Sequence, residues 1–150
     1  MLKVGDIAPA WKAANQDGKY MSSSEYAGKW LLLYFYPKDD TSGCTEEACG
    51  FRDAYASLST RIAIVGVSAD SVESHKNFSE KFSLPFTLIA DPQHELIQAF
   101  GADGLLFPKR ITFIIDPLNV IRKIYHGFDT KDHAVQISHD LNALQSDVHA

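Results

Sequence analysis

From Trp30 to Tyr36 the chain runs through seven apolar or aromatic side chains in succession and stops at Pro37. A strand with one wet face would alternate polar and apolar residues. An unbroken run of this length belongs in the middle of a sheet that is covered on both sides. The remaining segments supply what such a sheet needs. Ile62–Ser68 is a second apolar run, and Thr87–Ala90 is a short third closed by Asp91-Pro92. Ile111–Asp116 and Val120–Tyr125 are joined by the turn Pro117-Leu118-Asn119, hence an antiparallel pair. Helical patterns lie between them. Ala48, Phe51, Ala54, Tyr55 and Leu58 recur at three- and four-residue spacing, which predicts a helix from Thr41 or Ser42 to near Thr60. Asp70–Glu73 opens a helix through Phe82, Gln93–Phe100 forms another before Gly101, and Lys131–Leu144 closes the chain.

Ahead of the central strand, Asp17-Gly18 marks a hairpin turn. Ser22-Ser23-Ser24-Glu25 then reads as a capping box for a short helix that stops at Gly28. A β-α-β half followed by a β-β-α half is the order of the thioredoxin fold. The expectation is therefore an α/β, thioredoxin-like domain spanning residues 1–150: a central mixed sheet flanked by helices, with an N-terminal hairpin extension. Fold alone does not assign function.

A net charge of −5 argues against a nucleic-acid or anionic-membrane partner. No apolar stretch approaches the roughly 18 residues of a spanning helix, and Met1–Asp6 lacks the apolar core of a secretory signal. A soluble, cytoplasmic protein is expected. In a reducing compartment two thiols at short spacing are more often functional than stabilising.

Both cysteines, Cys44 and Cys49, follow Pro37 at the start of the first long helix. On an ideal helix their Cα atoms stand about 8.6 Å apart, with a rise of about 7.5 Å. A disulfide wants less than about 7 Å. The sulfurs therefore cannot bond while the helix is intact, so a bond made through local unwinding fits and a static staple does not. The energetics point the same way. A free thiol is about 3% thiolate at neutral pH, and a helix N-terminus supplies no more than about 2 kcal/mol toward the anion. A fixed cation is needed. Lys38 is flexible; Arg110, at the start of a strand that neighbours the cysteine-bearing segment in this fold, is the better candidate. Thr41, one turn before Cys44, offers a hydroxyl as donor or acceptor or as an N-cap. Pro37 bends the chain off the strand. Asp39 and Asp40 read as solvated loop charges; Glu47 could accept a hydrogen bond near the site, but first-turn acids are common for dipole reasons and it is left out of the site. The six histidines show no metal-ligand spacing from the cysteines.

Three functions compete on these residues: a thiol peroxidase, a thioredoxin-like disulfide reductase or isomerase, and a non-catalytic binding module. The second class uses Cys-x-x-Cys, and the four-residue gap here argues against it.

The pattern Pro37-x-x-x-Thr41-x-x-Cys44 resembles the active-site motif of the peroxiredoxins. The string from Tyr34 to Asp53 is similar to their Q-type subgroup, also called bacterioferritin comigratory protein. The likeness extends to Val4-Gly5-Asp6-x-Ala8-Pro9, Gly66-Val67-Ser68 and Arg110-x-Thr112-Phe113. Ser42 departs from the subgroup's usual proline, and the segment from Gly101 to Pro108 is shorter than in some members. The resemblance implies an atypical two-cysteine peroxidase acting on hydrogen peroxide and organic hydroperoxides. Cys44 would be peroxidatic and Cys49 resolving, with Arg110, Thr41 and Pro37 shaping the site. Thioredoxin or glutaredoxin would be the reductant. No metal, flavin or haem is implied, and an internal resolving cysteine favours a monomer.

Overall fold

The computed structural model describes residues 1–147 of the chain. A hairpin comes first: β1 (Lys12–Ala14) pairs antiparallel with β2 (Tyr20–Ser22), and Gly18 supplies the positive φ of 77° that its turn requires. Ser22 then caps a 3-10 turn over Ser23–Tyr26. Its hydroxyl accepts the Ser24 N–H, and the Glu25 carboxylate accepts the Ser22 N–H at 2.8 Å. The capping box is real, but it closes a 3-10 turn.

The main sheet contains β3 (Leu31–Phe35), β4 (Ala63–Ser68), β5 (Thr87–Ala90), β6 (Ile111–Ile115) and β7 (Ile121–Tyr125), in the order β5-β4-β3-β6-β7. The β3/β4 and β4/β5 pairs are parallel; β3/β6 and β6/β7 are antiparallel. The helices are α1 (Ser42–Asp53), α2 (Tyr55–Leu58), α3 (Val72–Phe82), α4 (Glu95–Ala99) and α5 (His133–Asp147). This is the mixed, helix-flanked thioredoxin-like sheet with its preceding hairpin that the sequence predicts.

Residues 31–36 are each at most 4% exposed. Alternation divides them between two cores. Leu32, Tyr34 and Tyr36 join Ala48 and Phe51 of α1, Leu58 of α2, Phe78 of α3, and Ile137 and Leu141 of α5. Leu31, Leu33 and Phe35 join Trp11 and Ala13 of the hairpin region with Leu96, Ile97 and Phe100 around α4. Full burial of one large apolar side chain is worth roughly 1.5–3 kcal/mol, so β3 is gripped from both faces. Gly66 shows how closely one of these cores is packed. A Cβ there would lie 2.7 Å from Cζ of Tyr34, whose ring crosses β4 at that point.

The register places the site. Phe35 pairs with Val67 on one side and Ile111 on the other. The end of β3, which leads to α1, therefore meets the beginning of β6, which carries Arg110.

The helix expected from 42 to 60 is broken at Ala54, where φ is −92° and ψ 0°. No glycine or proline marks the break, so the apolar spacing reads straight through it. The helix expected from Gln93 starts at Glu95 instead. Asp91 accepts the N–H groups of Glu95 and Ile97 at 2.9 and 2.8 Å, and His94 takes a left-handed φ of 61°. The last helix begins at His133 because Asp129 holds Lys131 in a turn, accepting its N–H at 2.9 Å. No helix among the described residues is long and apolar enough to cross a membrane.

Candidate active site

Beyond Tyr36 the chain crosses to α1 through residues 37–41. Pro37 is half-buried at the start of this crossing. Thr41 occupies the N-cap position with extended backbone, and its carbonyl accepts the Thr45 N–H at 2.8 Å. Its hydroxyl makes no cap bond. It donates to the Lys38 carbonyl at 2.8 Å, which leaves the oxygen's lone pairs available as acceptors. The N–H groups of the first turn, Cys44 among them, precede the first intrahelical bond and have no helical partner.

Cys44 lies in that turn and is 1% exposed. Arg110 reaches it from the head of β6: Nη2 stands 3.4 Å from Sγ, while Nη1 donates to Glu47 Oε1 at 2.7 Å. One guanidinium thus bridges the thiol and a carboxylate one helical turn further on. Burial works against the charge of Arg110, but Glu47 and Cys44 more than offset this, and its proton is held more firmly than usual. Gly43 leaves room for this arrangement, since a Cβ there would sit 3.1 Å from Nη2. Cys49 lies farther along the same unbroken helix, partly buried, and both thiols are free.

Behind the guanidinium is a second, fully enclosed layer. Burial pushes the Glu47 carboxyl up to about 7, although Arg110 opposes the shift. The His133 ring is 1% exposed, and Phe128 stacks on it with centroids 3.5 Å apart. Its Nε2 is 2.9 Å from Thr112 Oγ1 and 4.0 Å from Glu47 Oε2. Burial lowers the imidazole to about 4.

These two groups oppose each other in their effect on stability. Glu47 titrates higher in the folded chain than its ordinary 4.5, so its contribution is largest below that value and is lost as pH rises toward about 7. His133 titrates below its ordinary 6.5, so its contribution is present above that value and is lost as pH falls toward about 4. The stability of the parent minus that of Glu47→Gln is therefore expected to decrease as pH rises from 4.5 to about 7. Urea denaturation at several pH values across the window measures it. A difference that stays level or increases would show that Glu47 does not titrate there.

The structure brings Cys44 and Arg110 into contact, sets Thr41 at the cap of the same helix, and keeps Cys49 on the second turn. Three features escaped the sequence reading. Glu47 reads from the sequence mainly as a dipole-stabilising acid, yet it does accept a hydrogen bond beside the site, from Arg110; its position three residues after Cys44 was the available clue. His133 carried none. Asp39 is the third and corrects an expectation: it is buried at 7% exposure, whereas Asp40 is exposed and pairs with Lys81 at 2.7 Å. Among the described residues, Asp39, Asp70 and His75 bring ligand-type atoms within 4.8 Å of one another. Those atoms already carry hydrogen bonds to neighbouring groups.

A buried thiol in the first turn of a helix, faced by a guanidinium from the head of a thioredoxin-like sheet, suits the thiol redox chemistry of a thiol peroxidase. Comparison with known proteins narrows this: the AhpC/TSA family model matches residues 4–124, and the chain belongs to that family. It is 40% identical over 150 residues to the chloroplastic peroxiredoxin Q of Populus jackii, covering 97% of this chain and 69% of that one. Its structure is similar to that of peroxidoxin BcpB from Mycobacterium tuberculosis, with a TM-score of 0.89 and 32% identity over 95% of this chain and 98% of that one. It is also similar to the bacterioferritin comigratory protein of Xanthomonas campestris, studied for its alkyl peroxide reduction activity, with a TM-score of 0.84 and 31% identity over 89% and 90%. The chain is an oxidoreductase that reduces peroxides at the expense of thiols.

Proposed function

We propose that Cys44 is the thiol that peroxide oxidises and Cys49 the thiol that resolves it. The observation that carries this is the 3.4 Å approach of Arg110 Nη2 to Cys44 Sγ at a helix N-terminus. The thiolate attacks the terminal peroxide oxygen, an S–O bond forms and the O–O bond breaks. Cys44 becomes a sulfenic acid, and the leaving oxygen takes a proton to depart as water or an alcohol. Arg110 and the N–H groups of the first helical turn surround the reacting oxygens, and their preorganised dipoles meet the charge that develops there, while the Thr41 oxygen accepts a hydrogen bond from the peroxide.

Cys49 then displaces hydroxide from the sulfenic sulfur, which leaves as water, and an intramolecular disulfide remains. Since α1 runs unbroken through both residues, its first turn must open for this step. A dithiol protein, thioredoxin or glutaredoxin, returns both sulfurs to the thiol state by exchange. The two electrons that peroxide needs come from the two thiols, so no metal, flavin or haem takes part, and no second subunit is required. A reductant of this kind suits a cytoplasmic setting. Hydrogen peroxide and organic hydroperoxides are the substrate class. Leu105, Leu106 and Phe107, all exposed, lie just before Arg110 in the chain and offer apolar surface to an organic substituent.

Counting thiols tests the proposal. One equivalent of hydrogen peroxide added to reduced protein is expected to remove both thiols within seconds; slow loss or none would favour a binding module. Cys49→Ser is expected to retain the first oxidation, to lose recycling by thioredoxin, and to accumulate sulfinic acid at Cys44. Normal cycling of that variant on thioredoxin would remove Cys49 from the resolving role.

A further inference from the structure

We infer that Asp39 and His75 are positioning residues for the peroxidase reaction and that α3 is the brace through which they act. The inference rests on the roles given above to Cys44 and Cys49.

Asp39 is an acid in a short loop, yet it is 7% exposed and thoroughly tied down. Its carboxylate accepts from the Tyr36 hydroxyl at 2.6 Å, from Ser74 Oγ at 2.8 Å and from His75 Nδ1 at 2.7 Å. Its own N–H goes to Asp70 Oδ2 at 2.8 Å, and that oxygen is held in turn by Ser68 Oγ at 2.6 Å. His75 is 0% exposed, and its Nε2 meets the Ile89 carbonyl of β5 at 2.9 Å. The ring therefore uses both nitrogens to bind the loop to the sheet. Buried polar networks of this kind, with each member satisfied, make a local conformation rigid.

None of these groups hydrogen-bonds to the thiol, but the geometry gives the network a bearing on it. Thr41 follows Asp39 by two residues. Between them Asp40 takes a left-handed φ of 58°, and its carboxylate pairs with Lys81 of α3 at 2.7 Å. A residue other than glycine in that region keeps it only where surrounding contacts hold it. At the far end of the same stretch, Arg52 Nη1 donates to the carbonyl of Phe82, the last residue of α3, at 2.9 Å. Residues 41–51, which contain both cysteines, are thus bracketed by anchors, of which Ser74, His75, Lys81 and the Phe82 carbonyl belong to α3. Inside the bracket, the ion pair of Glu47 with Arg110 and the 2.6 Å bond of Glu46 with Thr130 add to the backbone bonds of α1 in opposing unwinding.

An anchor so placed favours the intact first turn, in which Cys44 faces Arg110, over the opened turn in which the sulfurs meet. Weakening it shifts the balance toward the opened form. The two chemical steps then respond in opposite directions. Attack on peroxide slows, because the assembled site is less populated. Disulfide formation quickens, and less sulfenic acid persists to be oxidised again to sulfinic acid. General loss of stability lowers the melting temperature but does not accelerate a later catalytic step.

The test uses Asp39→Asn and Tyr36→Phe in the full chain, with hydrogen peroxide as probe. Stopped-flow oxidation and acid-quench mass spectrometry separate sulfenic acid, disulfide and sulfinic acid. Asp39→Asn is expected to slow oxidation by about tenfold, to speed disulfide formation by a similar factor and to lower the sulfinic fraction. Tyr36→Phe removes one bond to the same carboxylate and is expected to move each quantity the same way by less. If oxidation and resolution both match the parent, or both slow together in folded protein, the inference is overturned. Should Asp39→Asn fail to fold, Tyr36→Phe decides alone. A parent that does not lose two thiols per peroxide would instead overturn the roles of the cysteines, which separates the two failures.

Discussion

Cys44→Ser is expected to reduce peroxide no faster than a chain without a nucleophile, a loss of at least about 10⁴-fold by analogy with other enzymes stripped of theirs. A serine hydroxyl is not ionised near neutrality and forms no counterpart of the sulfenic acid, so neither half of the reaction has a path. The substitution changes little else. Cys44 sits in the core cluster with Tyr34, Ala48 and Phe51, and serine is close to cysteine in size. Arg110 Nη2, 3.4 Å from Sγ, can donate to the new hydroxyl, so the fold is expected to persist. Peroxide consumption with excess thiol reductant, beside a circular dichroism melt, measures both. Retained turnover in a folded variant would move the nucleophile elsewhere.

Arg110→Gln carries the second large effect: a fall of about 10²–10³-fold in the rate constant for oxidation of Cys44, the range found when one oxyanion-type donor is removed. The guanidinium both faces the Cys44 sulfur and supplies directed N–H groups, and glutamine keeps only a shorter, neutral amide. A further consequence falls on Glu47. That carboxyl is buried, and Arg110 is the cation that opposes the upward push of burial. Without it Glu47 takes up a proton more readily, which limits the loss of stability because the charge is neutralised and not left stranded. Arg110→Lys is expected to fall between the two. An ammonium keeps the charge but is a single point, whereas the fork reaches Cys44 with one nitrogen and Glu47 with the other. Stopped-flow oxidation by hydrogen peroxide gives the rate constants. An Arg110→Gln rate equal to that of the parent would remove the guanidinium from the reaction.

The fold was largely legible because its elements announce themselves locally. The apolar run at 30–36, of strand length and stopped by Pro37, points to a doubly covered strand, and the Pro117-Leu118-Asn119 turn between two strand-like runs points to an antiparallel pair. The break at Ala54 was not legible, since no residue there has a preference strong enough to record it. Around the site, Pro37, Thr41, Cys44 and Cys49 were readable for the same local reason: a strand end, a helix cap and a helix turn adjoin one another in the chain. Arg110 was reachable only through strand order and family likeness.

What the amino-acid order determined alone was the sequence of strands and helices, though not the break at Ala54, and the helical separation of the two sulfurs, because both follow from contacts and dihedrals within a few residues. The tertiary structure decided which charges meet. Arg110 lies 66 residues from Cys44 and 63 from Glu47, and Asp39 lies 36 from His75. Those distances close only when β3 takes its register between β4 and β6 and α3 packs across the loop. Burial then turns an unremarkable acid such as Glu47 or Asp39 into a group that must find a partner, a requirement set by the loss of water and absent from any local pattern.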